Sequence, residues 1–338
     1  MSIVLSHSSK ELYQQCGYKW YLHYVKKLRS PIISSPLLLG HAMDGAFSRI
    51  LLEKMDKNDR KTPLSLLTEF QVFDEGFSKF KNNNEEVVVK ESTLVRYSSS
   101  DYTLETLKDE DIIDISKLGS NYRIVLENIE SITEFINECK ANFKSHKHLD
   151  NNSQIMYNII HWHSLRRKCH YLLEKYREDV LSKIEKVYSI QEKVELKDES
   201  DLFIGYIDFV ASFNDEPGKK YVCDNKFASK AYASNAVSTS DQLSTYCEYK
   251  GINSACYIVV EKSLRKKVPL HRIQILKDTI PESQFNKTFD GITKVFNSIS
   301  AGDFKQNFES KCFFFGAVCP YYDYCRSGDS SKLKDCSK

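Results

Sequence analysis

Hydrophobic and polar positions along the chain follow two periods, and the switch between them marks the elements. Residues 203–213, FIGYIDFVASF, are rich in aromatic and β-branched side chains, which suits a strand. Asn214-Asp215-Glu216-Pro217-Gly218 follows as a turn, and Lys219 to Lys226 return as a second strand. Residues 203–226 therefore predict a β-hairpin. On the second arm Lys220, Val222, Asp224 and Lys226 share one face, and Tyr221 and Cys223 the other. Each arm carries an acid where a further hydrophobe is expected, Asp208 on the first and Asp224 on the second.

Helical spacing dominates elsewhere. Leu12, Cys16, Trp20 and Tyr24 recur every four residues and predict one helix from a Ser6 or Ser8 cap to about Leu28, ended by Arg29-Ser30-Pro31. A second helix is expected from after Pro36 to about Met55, carrying Gly40, His41 and Asp44. Lys54 to Thr62 reads as a charged linker, 63–82 as helix, 83–120 as polar loops, and 121–186 as helix. Val187 to Lys197 predicts a strand ahead of the hairpin. After the hairpin come a small-residue loop from Ala228 to Ser240 and a helix, Asp241 to Lys250, stopped by Gly251. Ala255 to Glu261 reads as a buried strand, and Val268 to Ile275 as an edge strand because of Pro269. Pro281 to Ser300 is a helix, and a Cys- and aromatic-rich tail begins at Phe304. There is no internal repeat.

Together these predict an α/β fold: a mixed central sheet of about four or five strands flanked by helices, with a large helical insertion. The expected organisation is N-terminal helices over 1–55, the insertion over 56–186, core sheet and helices over 187–300, and the tail over 301–338.

Composition narrows the function. At 338 residues the chain can bury a large core, and its net charge of +2 leaves room only for a local basic groove. It holds 20 Tyr and 19 Phe against 12 Gly and 7 Pro, which favours helices around a compact sheet. No apolar run reaches about 18 residues and no basic-then-apolar leader opens the chain, so an intracellular protein (cytoplasmic or nucleoid-associated) without a membrane span is expected. Ten cysteines in that setting suit reduced thiols or cluster ligation better than a disulfide scaffold.

Two carboxylates gathered on one sheet face are costly unless a cation neutralises them, and aspartate oxygens suit Mg²⁺ or Mn²⁺. Acid-x-Lys is common in this chain and usually marks a surface ion pair. The copy Asp224-Asn225-Lys226 differs because it ends a β arm and follows Gly205-Tyr206-Ile207-Asp208. Gln242 and Tyr246 then lie four apart on the next helix, on one face. Over its first 50 or so residues and most of 187–326, the chain resembles the PD-(D/E)XK nuclease superfamily, in particular its RecB-like and phage-type exonuclease branch. The family pattern of Gly-x-Ile-Asp, Asp-x-Lys and Gln-x3-Tyr is matched by Gly205/Ile207/Asp208, Asp224/Lys226 and Gln242/Tyr246.

The resemblance implies a restriction-endonuclease-like core and a divalent-metal-dependent DNA nuclease, an exonuclease of DNA processing, repair or recombination. Asp208 and Asp224 would hold the metal, with the Asn225 backbone carbonyl as a further ligand. Lys226 would orient water or stabilise developing charge, with Gln242 and Tyr246 holding the motif. The family's N-terminal helix carries Gly and, four residues on, a metal-binding His. Here Asp44 stands in that register after Gly40, with His41 as the alternative ligand. Glu192 is the candidate strand acid, and Glu195 would face the opposite side.

Some members of this branch hold a [4Fe–4S] cluster on one N-terminal and three C-terminal cysteines, spaced C-x2-C-x5-C. Cys16, Cys319 and Cys325 match, whereas Cys312 sits four residues earlier than the expected second ligand. Four thiolates also suit zinc, and free buried thiols are the plain alternative. The other cysteines, Cys139, Cys169, Cys223, Cys247, Cys256 and Cys336, read as core or surface thiols. His161 and His163 are two apart on a predicted helix and poorly placed to chelate together. Arg265-Lys266-Lys267 suits a phosphate contact or a solvated turn equally. With no Walker loop, ATP-driven movement on DNA requires a helicase or other recombination protein as partner. A non-catalytic DNA-binding or scaffolding protein is the rival reading, and a ribonuclease the third.

Overall fold

The computed structural model describes residues 3–29, 35–60, 67–83, 168–198, 201–261, 273–307, 312–314, 317–331 and 333–336. The chain divides into two compact units. The first, Met1–Ile33, Leu37–Val87 and Leu172–Lys338, holds the sheet. The second, Ser34–Pro36 and Val88–Tyr171, lies almost wholly outside the described residues. The loops and helices expected over 84–167, with Cys139, His161 and His163, fall outside them, as do Pro269 and Arg265-Lys266-Lys267.

In chain order the elements are β1 (Val4–Leu5), α1 (His7–Gln15), α2 (Gly17–Trp20), a π turn (Tyr21–Val25), β2 (Leu28–Arg29), α3 (Ser35–Leu51) and α4 (Glu69–Asn83). Residues 168–179 form α5. Then come β3 (Ile184–Asp198), β4 (Asp201–Phe213), β5 (Glu216–Ala228), α6 (Asp241–Lys250), β6 (Ser254–Glu261), β7 (Ile273–Thr279) and α7 (Glu282–Ser300). The tail holds β8 (Phe313–Phe314), β9 (Ala317–Val318), α8 (Tyr322–Ser327) and β10 (Lys334–Asp335).

This is a mixed α/β protein. A 6-stranded sheet runs β1-β4-β5-β6-β7, with β3 on the other side of β4. β5 and β6 are parallel, joined through α6, whereas β3, β4 and β5 are antiparallel neighbours. β6 is buried at every position, as a continuous apolar run between two strands must be. α6 packs Leu243, Tyr246 and Cys247 onto Val194, Ile207 and Val222. α7 packs Ile292, Val295, Phe296 and Ile299 against Leu5, Trp20 and Phe203.

Several boundaries differ from the sequence expectation. The single N-terminal helix is broken at Cys16, which is extended (φ −165°, ψ 107°) and accepts the Lys19 N–H at its thiol. Period-four spacing survives the break, so it hides it. Gly17 follows because a Cβ there would meet the backbone of Asp303, Phe304 and Lys305 at 3.2–3.3 Å. The hairpin turn is only Asn214-Asp215, since Phe213 already pairs with Glu216. Lys277 of β7 binds Asp215 and Glu216, which fixes this tight turn. β3 begins at Ile184 rather than Val187, and the edge strand is Ile273–Thr279. The first unit also takes in 67–83 and 172–186, which the sequence pattern groups with the insertion. The reason is packing: Tyr176 of α5 is fully buried and stacks on Phe47 of α3 at 4.3 Å. Among the described residues no helix is long and apolar enough to cross a membrane.

α6 can lie close to β4 only because position 205 is glycine. A Cβ at Gly205 would stand 2.6 Å from Cε1 of the buried Tyr246 ring. Gly205→Ala should therefore cost about 1–3 kcal/mol in chemical denaturation, as overpacking of a closed interface does. An unchanged midpoint would show that the ring moves freely.

Candidate active site

The β4–β5 ladder ends at the pair Phe209↔Cys223. Asp208 and Asp224 are the next residues on the two strands. Beyond them β5 keeps to β6, through Asp224↔Tyr257 and Lys226↔Val259, while β4 keeps to β3. β1 covers β4 only at Leu202 and Phe203. A notch thus opens in the sheet along Ile204–Asp208, and both acids stand at its inner end. The Asn225 N–H, with no β4 carbonyl to reach, donates to Asp208 Oδ2 at 2.7 Å.

The sequence-predicted residues converge here. Lys226 Nζ lies 2.7 Å from Asp224 Oδ2 and donates to Gln242 Oε1 at 2.7 Å. Gln242 Nε2 donates to Asp224 Oδ1 at 2.7 Å and to the Tyr246 hydroxyl at 3.3 Å. The Gln-x3-Tyr spacing delivers both side chains because four residues return to one face of α6. Asp224 is only 1 % exposed. Its Oδ2 meets the lysine charge without an aligned hydrogen bond, so a buried oxygen keeps unused lone pairs.

Electrostatics mark the acids as a group. Burial, then Asp224, then Asp44 push the Asp208 carboxyl well above the usual range, against the Asn225 N–H and Lys226. Burial also raises Asp224, which Lys226 partly offsets. Asp44, on α3, is raised by burial and then by Asp224. Burial works against the Lys226 charge, yet Asp224 and its neighbours hold that amine above its ordinary value. Three carboxylates thus share one ammonium.

The remaining candidates place as follows. His41, one turn before Asp44, is exposed, and its charge reaches Asp44. Asn225 accepts from the Tyr176 hydroxyl at its side-chain oxygen, 2.9 Å away. Glu192, on the α6-facing side of β3, binds Lys250 of α6 with its carboxylate at 2.8 and 3.0 Å. Glu195 is on the exposed face and pairs with Lys193.

The four tail-and-helix cysteines lie near one another. Burial, then Cys319, Cys16 and Cys312, push the Cys325 thiol up to about 11. Cys312 is raised by burial and then by Cys319 and Cys16. The Cys319 N–H donates to the Cys312 carbonyl at 2.7 Å. Cys169, Cys223, Cys247 and Cys256 are buried and Cys336 is exposed. Among the described residues, no three His, Cys, Asp or Glu side chains already stand in chelating positions, at either the acids or the thiols.

Three residues near the site escape sequence reasoning. His7 packs edge-on to Tyr246 at 5.7 Å, with Nε2 3.2 Å from Thr245 Oγ1. Burial holds it neutral, lowering its pKa to about 3. Tyr176 supports Asn225, and Gln191 Nε2 donates to both oxygens of Asp44 at 3.2 Å. Only Gln191 leaves a trace in the sequence, as a polar residue directly before Glu192 in a strand otherwise of alternating pattern.

A carboxyl whose pKa is raised on folding stabilises the protein fully below its unfolded value and loses that contribution as pH rises through the folded value. Asp208→Asn keeps an oxygen acceptor for the Asn225 N–H while removing the charge. At neutral pH and without divalent cations it should raise the thermal midpoint by about 2–4 °C. The difference from wild type should close as pH falls toward 3.8, the ordinary value for this carboxyl. A midpoint lowered at neutral pH would contradict the crowding of charge at Asp208.

No protein-family model matches the chain, and no curated protein matches it.

Proposed function

We propose that the protein is a divalent-metal-dependent DNA nuclease acting as an exonuclease. The observation that carries this reading is the meeting of Asp208, Asp224, Lys226 and Gln242 where β4 and β5 part. The donor set is hard oxygen, as Mg²⁺ or Mn²⁺ requires. The buried Asp224 Oδ2 meets only the Lys226 ammonium, without an aligned hydrogen bond, and the carboxylates exceed that positive charge, so the donor chemistry suits a cation. Asp208 and Asp224 would hold it, with Asp44 and the Asn225 carbonyl completing the shell and His41 as the alternative to Asp44.

When bound, the cation supplies an acidified water and neutralises charge on the scissile phosphate. Lys226 presents an ammonium beside the same oxygens, where it stabilises negative charge developing on the phosphate. Gln242 fixes the distance between Asp224 and Lys226 by bonding both. Tyr246, wedged against Gly205, fixes Gln242. Exonuclease action rests on the family resemblance of the motifs.

Asp224→Ala and Lys226→Ala should each abolish Mg²⁺-dependent degradation of linear DNA, a loss of at least about 100-fold, while circular dichroism stays native. Circular DNA should be spared. A protein that binds DNA equally with and without Mg²⁺ and never cuts it is instead the non-catalytic binder.

We further propose that Cys16, Cys312, Cys319 and Cys325 hold a [4Fe–4S] cluster, with zinc as the alternative. What supports it is the approach of these four thiols to one another across nearly the whole chain. Protein purified without oxygen should absorb visible light and contain iron, and Cys325→Ser should lose both. Colourless protein carrying stoichiometric zinc would assign the site to zinc.

A further inference from the structure

Among the described non-glycine residues, only Lys27 and Gln191 adopt a left-handed backbone, and Gln191 does so inside a strand, at φ 49°. Such a conformation persists only where something repays it. Burial does not, because Gln191 is exposed. The flanking pairs Ile190↔Phe209 and Glu192↔Ile207 place Gln191 directly across from Asp208. From there its amide reaches α3 and donates to Oδ1 and Oδ2 of Asp44, both at 3.2 Å.

Asp44 needs such a hold. It belongs to a different element from the hairpin acids, and the negative charge of Asp224 acts against its own. A carboxylate in that field, on a side chain with free rotation, turns toward solvent unless a donor keeps it. The two amide contacts are long and shared. A carboxylate has about four acceptor sites, so lone pairs on both oxygens stay open.

We propose that Gln191 is a positioning residue: its amide holds the Asp44 carboxylate on the side of Asp208 and Asp224, so that Asp44 closes on a divalent cation as a third oxygen donor with less reordering. This rests on the metal-centre reading above. Gln191 touches neither cation nor DNA in this scheme and acts only through Asp44.

The test is Mn²⁺ binding to the full-length protein without DNA, by titration calorimetry. Gln191→Gly removes the amide and accepts the left-handed backbone without strain. It should weaken Mn²⁺ binding by about tenfold, the scale on which partners of metal ligands act. Its thermal midpoint should stay equal or rise. Gln191→Asn tolerates the same backbone but ends one methylene short, and should weaken binding likewise. In an Asp44→Asn background, Gln191→Gly should add less than about twofold, because the two residues act as one unit. Binding by both Gln191 variants within about twofold of wild type would overturn the proposal, as would multiplicative losses in the double variant. No Mn²⁺ uptake by wild type would instead remove the metal-centre reading, a separate failure.

Discussion

The structure turns on carboxylate crowding where two neighbouring strands cease to pair. An antiparallel hairpin ordinarily continues its ladder until the sheet ends. Here the ladder stops at Phe209↔Cys223, and the next residue on each strand is an aspartate. The like charges and lost water cost on the order of a few kcal/mol. Lys226 offsets only part of this, since both hairpin acids stay raised. The charge repulsion between the acids is therefore greater than Lys226 alone relieves.

Holding such a site open requires a frame that does not relax. Two apolar clusters supply it, one between α6 and the sheet, the other between α7 and the N-terminal helices. A polar network centred on the half-buried Asp241 ties the helices together. Lys10 of α1 is 1 % exposed and binds Asp241 of α6 at 2.5 Å, and Gln284 and Thr288 of α7 bind the same carboxylate. Fully partnered networks of this kind fix one arrangement of helices, where an apolar contact would tolerate several. α6 is thereby set so that Gln242 and Tyr246 point into the notch.

Much of this was legible in the sequence because local rules and the tertiary fold agree. The strand composition of 203–213, the Gly251 helix stop and the four-residue step from Gln242 to Tyr246 each state their own geometry. Gly205 is legible as part of a motif, but its reason, the Tyr246 ring, lies 41 positions further along the chain and shows only in three dimensions. The break at Cys16 was hidden because aromatic residues kept helical spacing through it. Glu192 pairs with Lys250 of α6, a partner that strand parity alone does not name. Tyr176 and His7 act through contacts of very long sequence separation, which no periodicity encodes.

The two candidate centres are joined by a single short helix. α1 is 9 residues long, about 13 Å at 1.5 Å per residue. Its first residue, His7, packs against Tyr246, and β1 just before it pairs with β4 at the mouth of the notch. Its far end is Cys16, beside the tail thiols. There Trp20 stacks on Phe304 at 6.0 Å and Tyr321 donates to the Leu28 carbonyl at 2.9 Å, so the tail is clasped to the N-terminal segment. A helix pinned at both ends transmits position because its hydrogen-bonded backbone cannot stretch. The clasp thus reaches, through α1, the strand β1 that pairs with β4 at Leu202 and Phe203. Those two pairs at one end and the parting of β5 after Phe209↔Cys223 at the other bound the gap in which the acids stand.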